Sequence, residues 1–254
     1  MSYRPTSQRW CSMASPSSIT IMGVQGIGEI THESDLSEIL AALLGPADGE
    51  ITLEDGDVLV VTQKVISKAE GCTEDLDHHD VAAKIALVER ESVRILRRRG
   101  DLLIAETTHG FICANAGIDL SNVDEGTAVL LPEDPDRSAR RLRGDLQRLL
   151  GVTIGVIISD TFGRPWRSGV TDIALGSAGV LPILDLRGTN DANGRELQAT
   201  EICIIDELAG SADLVMGKAS NIPAAVIRGV DPTWLGEGSV ASDVIRNSQN
   251  DLFR

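Results

Sequence analysis

The sequence predicts a fold that combines helices with buried sheet strands, and three observations carry that expectation. Two continuous apolar runs rich in β-branched residues, Val58-Leu59-Val60-Val61 and Val152-Thr153-Ile154-Gly155-Val156-Ile157-Ile158-Ser159, read as strands covered on both faces, since a half-exposed strand would alternate. Around them lie segments with apolar residues at helical spacing, opened by Asp or Ser and closed by Gly. Finally, the common nucleotide-binding fingerprints fail. A Walker A reading of Gly217-Lys218 puts Ala212 at the first glycine and Ala219 at the Ser/Thr position, and the glycines of Gly23-Val24-Gln25-Gly26-Ile27-Gly28 are not in dinucleotide order.

The elements follow in order. Residues Met1 to Ser18 carry no helical or strand period and read as a mobile extension. Ile19 to Val24 is a short strand leading into the glycine-rich turn, whose backbone N–H groups can approach a phosphate because no Cβ obstructs them. Ser34 or Asp35 caps a helix with Leu36, Ile39, Leu40, Leu43 and Leu44 on one stripe, ended by Gly45. The strand Val58–Val61 exits into Thr62-Gln63-Lys64-Val65-Ile66-Ser67-Lys68, where two lysines four residues apart share one side of a helical turn. His78 to Arg99 has a helical period, with Arg97-Arg98-Arg99 at its C-terminus, where cations complement the dipole. Leu102–Ala105 and Thr127–Leu131 read as strands, and Asp134-Pro135 opens a helix that runs to Gly151. The small-residue stretch Thr171–Gly179 reads as a closely packed helix, Pro182–Leu186 as a strand, Thr200–Val215 as a helix and Ala224–Arg228 as a strand. The last twenty or so residues read as a capping segment or tail.

At 254 residues the chain is long enough for one large domain or two lobes, and with 3% aromatic residues its core is aliphatic. A net charge of −15 excludes a general nucleic-acid or anionic-membrane surface, so positive charge toward an anionic ligand must be local. Lysine is scarce: Lys64, Lys68, Lys84 and Lys218, against nineteen arginines. Cys11, Cys72, Cys113 and Cys203 are far apart and suggest neither a zinc site nor a disulfide framework. No apolar run reaches membrane-spanning length and no signal-peptide layout opens the chain, so a reducing cytoplasm is the expected location.

The chemistry concentrates where the second apolar run stops. Asp160 and Thr161 follow Ser159 at a strand's carboxyl end, a common ligand position in open sheets, and Arg164 and Arg167 add positive charge in the loop beyond. A carboxylate, a hydroxyl and arginines suit a metal and a phosphate, although an Asp-Thr pair is also an ordinary cap or turn. Asp119, with Ser121 and Asn122, forms an Asx-turn or supplies a second carboxylate to the same cation.

Five stretches in order, G-I-G-E at Gly26–Glu29, V-T-Q-K-V-I-S-K-A-E-G at Val61–Gly71, A-G-I-D-L-S-N at Ala116–Asn122, I-S-D-T-F-G-R-P-W-R at Ile158–Arg167 and A-D-L-V-M-G-K at Ala212–Lys218, resemble the coenzyme F420-0:L-glutamate (γ-glutamyl) ligases. The resemblance implies a two-lobed α+β fold of its own with mixed sheets, neither P-loop nor Rossmann, assembled as a homodimer. It divides the chain into the extension 1–18, a ligase module 19–230 and a tail 231–254. It implies that Gly26, Ile27, Gly28, Glu29, Gln63, Lys68, Asn122, Gly217 and Lys218 contact GTP, that Asp119 and Asp160 hold one Mg2+ or Mn2+, and that Thr161 helps hold a second, with K+ a further candidate ion. Asp160, Asp119, Lys68 and Arg164 are the implied catalytic set. Where archaeal members carry a Gln in a G-Q-G-D-E-type loop, this chain reads Gly217-Lys218-Ala219-Ser220-Asn221, a departure that bears on the second ion. The implied substrates are coenzyme F420-0, GTP and L-glutamate, with no nucleic acid and no membrane. Paired aspartates beside arginines also suit a metal-dependent phosphohydrolase, and a non-catalytic nucleotide-binding module is the third reading.

Overall fold

The computed structural model describes residues 18–46, 50–120 and 126–252. Most of the expected N-terminal extension, and Asn122 with Ser121, lie outside those residues. The chain forms an α+β fold centred on a five-stranded sheet. Its order is β1 (Thr20–Gly23), β12 (Ala224–Arg228), β2 (Val58–Thr62), β8 (Gly155–Gly163) and β9 (Val170–Ala178). The central pair β2 and β8 is parallel, with Val61 opposite Ile158 and Thr62 opposite Ser159, and the other pairs are antiparallel.

Both faces of this sheet are covered, which is why its central strands read as unbroken apolar runs. On one face α1 (Leu36–Leu44) and α4 (Pro135–Leu150) press Leu40, Leu44, Leu142 and Leu146 onto Leu59, Val61, Val156 and Ile158. On the other, α5 (Ile204–Met216) sets Ile205, Leu208, Ala209 and Ala212 against Val60, Ile157, Ala225 and Ile227. Alternate strand residues thus serve opposite cores, and each fully buried Leu or Ile contributes about 1.5–3 kcal/mol relative to exposure. The ends of α4 follow from sequence: Asp134 accepts the Arg137 N–H at 2.9 Å, Pro135 occupies the first turn, and Gly151 closes the helix at φ 73°.

A smaller lobe adjoins the sheet. It comprises β3 (Thr73–Asp75) paired with β7 (Thr127–Val129), a sheet of β4 (Ser92–Arg99), β5 (Leu102–Thr107) and β6 (Ile112–Ala114), and α3 (Val81–Arg90). Its cores are small, one around Val88, Leu103 and Ala105 and one around Leu76, Leu87 and Ala128. The short helix α2 (Gln63–Ala69) joins the two lobes, and a hairpin of β10 (Ile183–Asp185) and β11 (Glu201–Cys203) leads into α5. The end of the chain, with α6 (Val240–Asp243), is pinned by buried Asp136, whose carboxylate accepts the N–H groups of Ser177, Val240 and Ala241 at 2.9, 3.0 and 3.1 Å. Among the described residues no helix is long and apolar enough to cross a membrane.

Two expectations are corrected. The segment Thr171–Gly179, expected as a helix, is nearly all strand β9, and the strand preceding it continues past Ser159 to Gly163. Small residues carry little local preference, so the cross-strand ladder with β8 decides the conformation. Gly176 shows why they are small: a Cβ there would lie 2.3 Å from the Pro135 carbonyl carbon and oxygen, so α4 could not approach. The second correction concerns His78–Arg99, where the helix stops at Arg90 and β4 begins at Ser92. The arginine run lies in a strand, with Arg98 bound to Glu89 at 3.0 Å and Arg94 to Glu106 at 2.6 Å. Gly100, at φ 63°, serves the turn into β5.

Candidate active site

A cavity of about 410 Å³ opens where β2 ends, between the glycine-rich turn after β1, α2, the hairpin β8–β9 and the C-terminus of α5. Each wall brings charge. Lys64 and Lys68, one helical turn apart on α2, both reach it. Lys64 forms an ion pair with Asp119 at 2.8 Å, and Lys68 pairs with Glu29 from the turn after β1. Asp119 is fixed by a backbone bridge to Val129, its N–H donating at 2.9 Å and its carbonyl accepting at 3.0 Å.

On β8, Ser159 and Thr161 are two residues apart, and both hydroxyls donate to buried Asp172 on β9, at 2.9 and 2.6 Å. Lys218, just beyond α5, donates to the Thr161 hydroxyl. Asp160 lies between these groups, and its acidity is weakened to about 7. Burial is the main cause, followed by the negative charges of Asp119 and Asp172, while the Thr161 backbone N–H and Lys218 act the other way. Asp213, on the last turn of α5, also titrates above the usual carboxylate range, through burial first and Asp172 second.

A half-buried carboxylate that resists ionisation, with two more carboxylates near it, suits a hard divalent cation. Among the described residues no three His, Cys, Asp or Glu side chains converge into a ready-made cage. The donor set therefore fits Mg2+ or Mn2+ held by one or two carboxylates and completed by a ligand's oxygens and water. Asp119 and Asp160 fit such an ion. Thr161 fits less well, because its hydroxyl is engaged on both sides.

Comparison with known proteins places this pocket in a lineage. The profile of the family described as F420-0:Gamma-glutamyl ligase matches residues 26–229, a span that contains the whole pocket lining. The chain belongs to this family. The coenzyme F420:L-glutamate ligase of Methanothermobacter thermautotrophicus is 40% identical over 251 residues, covering 93% of this chain and 99% of the relative. That of Methanopyrus kandleri is 42% identical over 237 residues, 87% and 91% of the two chains, and that of Methanocaldococcus jannaschii 39% over 239 residues, 88% and 91%.

In this ligase the residues singled out from sequence do not all meet. Gly28, Glu29, Lys68, Asp119, Asp160, Thr161, Gly217 and Lys218 line the cavity. Gly26 (φ 84°) and Gly28 (φ 72°) have left-handed backbones that shape the turn, whereas the Ile27 side chain is buried in the main core. Gln63 points away from the cavity: it is 1% exposed and donates to the Ser67 hydroxyl at 2.6 Å and the Leu130 carbonyl at 2.8 Å, tying α2 to the smaller lobe. Arg164 sits on an exposed loop beyond β8 and does not line the cavity. Sequence reasoning missed Asp172, Asp213 and Ser159. Asp172 is the only charge in the segment Thr171–Gly179, and Asp213 stands one helical turn before Gly217; reading the first segment as a helix hid its pairing with β8.

Proposed function

We propose that this ligase joins L-glutamate through an amide bond to coenzyme F420-0, driven by GTP. The observation that carries the reading is the charge arrangement: three of the four lysines in a protein of net charge −15 meet four aspartates in one cavity at the strand ends. Such a mixture suits a polyphosphate and a cation together. The family membership and the names of the relatives supply the substrate class.

In the proposed sequence a substrate carboxylate oxygen attacks the γ-phosphorus of GTP, the bond to the β-phosphate oxygen breaks, and GDP leaves. The glutamate nitrogen then attacks the acyl phosphate carbon, losing a proton as inorganic phosphate departs. The first step brings negative groups together, so charge neutralisation is the main task of the site. Lys68 and Lys64 hand their ammonium groups from Glu29 and Asp119 toward the phosphates, and Lys218 faces them from the opposite wall. These lysines take the part that the sequence suggested for Arg164. Asp119 and Asp160 would hold a Mg2+ or Mn2+, which would supply Lewis-acid stabilisation of charge on the phosphate oxygens. Asp172 orients Ser159 and Thr161 and is a positioning residue.

The test is incubation with GTP, Mn2+, L-glutamate and coenzyme F420-0, followed by mass analysis of the product and measurement of GDP. A glutamylated product, with GDP formed beyond one equivalent per site only when carboxylate and amine are both present, supports the reading. Sustained GDP release that needs neither carboxylate nor amine identifies a hydrolase instead. The proposed homodimer is checked by sedimentation.

A further inference from the structure

The bonds around Thr161 have fixed directions. A hydroxyl has a single proton to give and an ammonium has only protons to give. Thr161 therefore donates to Asp172 at 2.6 Å, and its lone pair receives Lys218. The Ser159 hydroxyl donates to the other Asp172 oxygen at 2.9 Å, so that aspartate is turned toward the two hydroxyls. The backbone prepares the lysine's position. Gly217, at φ 57° and ψ 168°, ends α5 in a conformation that suits glycine, and its N–H returns to the Asp213 carbonyl at 2.9 Å. The Ser220 hydroxyl closes the turn on the Met216 carbonyl, so Lys218 projects from a hydrogen-bonded turn, back across the cavity. There it also opposes the negative charge of Asp160 and Asp213.

An ammonium thus occupies the position at Thr161 where a second divalent ion was expected, and a divalent ion sharing the same hydroxyl would be strongly repelled by it. We infer that Lys218 is the second cation of this site, built into the chain, so that each chain takes one divalent ion with its nucleotide and not two. This rests on the proposed binding of GTP with a divalent cation in this cavity. The lysine would lie between the Thr161–Asp172 pair and the bound phosphates, neutralising charge with no requirement for a second free ion.

Counting ions tests the inference without reference to turnover. The full chain is titrated with Mn2+ in the presence of a GTP analogue with a β,γ-imido bridge, and free Mn2+ is followed by electron paramagnetic resonance. The wild type is expected to saturate at one Mn2+ per chain. Lys218→Met and Lys218→Gln are expected to saturate at two, with dipolar broadening between the bound ions, and Lys218→Arg, which keeps the charge, at one. Thermal melts verify that the variants are folded. Two Mn2+ on the wild type, or one on the wild type and on both neutral variants, overturns the inference while nucleotide binding stands. Failure of the wild type to retain the analogue at all overturns the GTP reading and the inference with it.

Discussion

Ionising Asp160 in the metal-free protein sets a charge beside Asp119 and Asp172 in a site partly cut off from water, and its titration near pH 7 expresses that cost. The unfolded chain ionises near its ordinary value of 3.8, so the folded form binds the extra proton between about pH 4 and 7. Stability from this group is fully present below pH 4 and is lost as pH rises through 7. Melting of the metal-free wild type should therefore fall from pH 5 to pH 8. Asp160→Asn should remove most of that slope, leaving the part due to Asp213, and addition of Mn2+ with nucleotide should flatten it in the wild type. A wild-type slope identical to that of the variant would sink this account. The same substitution should lower turnover by about 10³-fold or more, since it removes a carboxylate that would hold the cation facing the reacting phosphate, while the melt shows an intact fold. Asp160 stood out in the sequence because it ends a buried apolar run, and Asp119 because it is the first charge after a stretch of small and polar residues. Asp172 did not, because its role depends on which strand lies opposite Thr161, and register is a property of two segments at once.

Elements whose own residues decide their conformation were legible: the capped helix α4, the buried strands β2 and β12, and the helix α1 with Asp35 at its start. Those decided by a neighbour were not. β9 is a strand because β8 pairs with it, and the Arg-rich β4 because β5 folds back along it. Two substitutions probe this dependence. Gly176→Ala places a Cβ against the Pro135 backbone at 2.3 Å, where only movement of α4 relieves the clash. It should cost about 2–3 kcal/mol, read as a lower denaturation midpoint. Asp136→Ala leaves the N–H groups of Ser177, Val240 and Ala241 without their acceptor. A loss of about 3 kcal/mol, or roughly 6–10 °C in melting temperature, is expected. Limited proteolysis should then cut near α6 while nucleotide binding persists. A variant whose C-terminal segment stays resistant would show that Val240, buried in the core that α5 also covers, holds it without the cap.

The whole molecule carries a charge of −15 and yet is proposed to bind one of the most highly charged small anions. The field far from the surface repels nucleotide, and the three lysines of the cavity act only at short range, two of them already paired with Glu29 and Asp119. Ionic strength separates the two contributions, because the screening length is about 30 Å at 0.01 M salt and about 10 Å at 0.1 M. At low salt the long-range repulsion reaches an approaching nucleotide before the lysines do, and raising the salt removes the repulsion first. The association rate constant of GTP should therefore rise severalfold between 10 and 100 mM KCl at fixed free Mg2+, opposite to the fall expected for electrostatically steered binding. The dissociation rate should rise as well, since the lysine contacts are screened at higher salt, so the equilibrium affinity should change less than either rate. Stopped-flow measurement with a fluorescent GTP analogue reads both constants. An association rate that falls with salt would mean that the cavity's local positive field extends past the acidic surface and guides the nucleotide in.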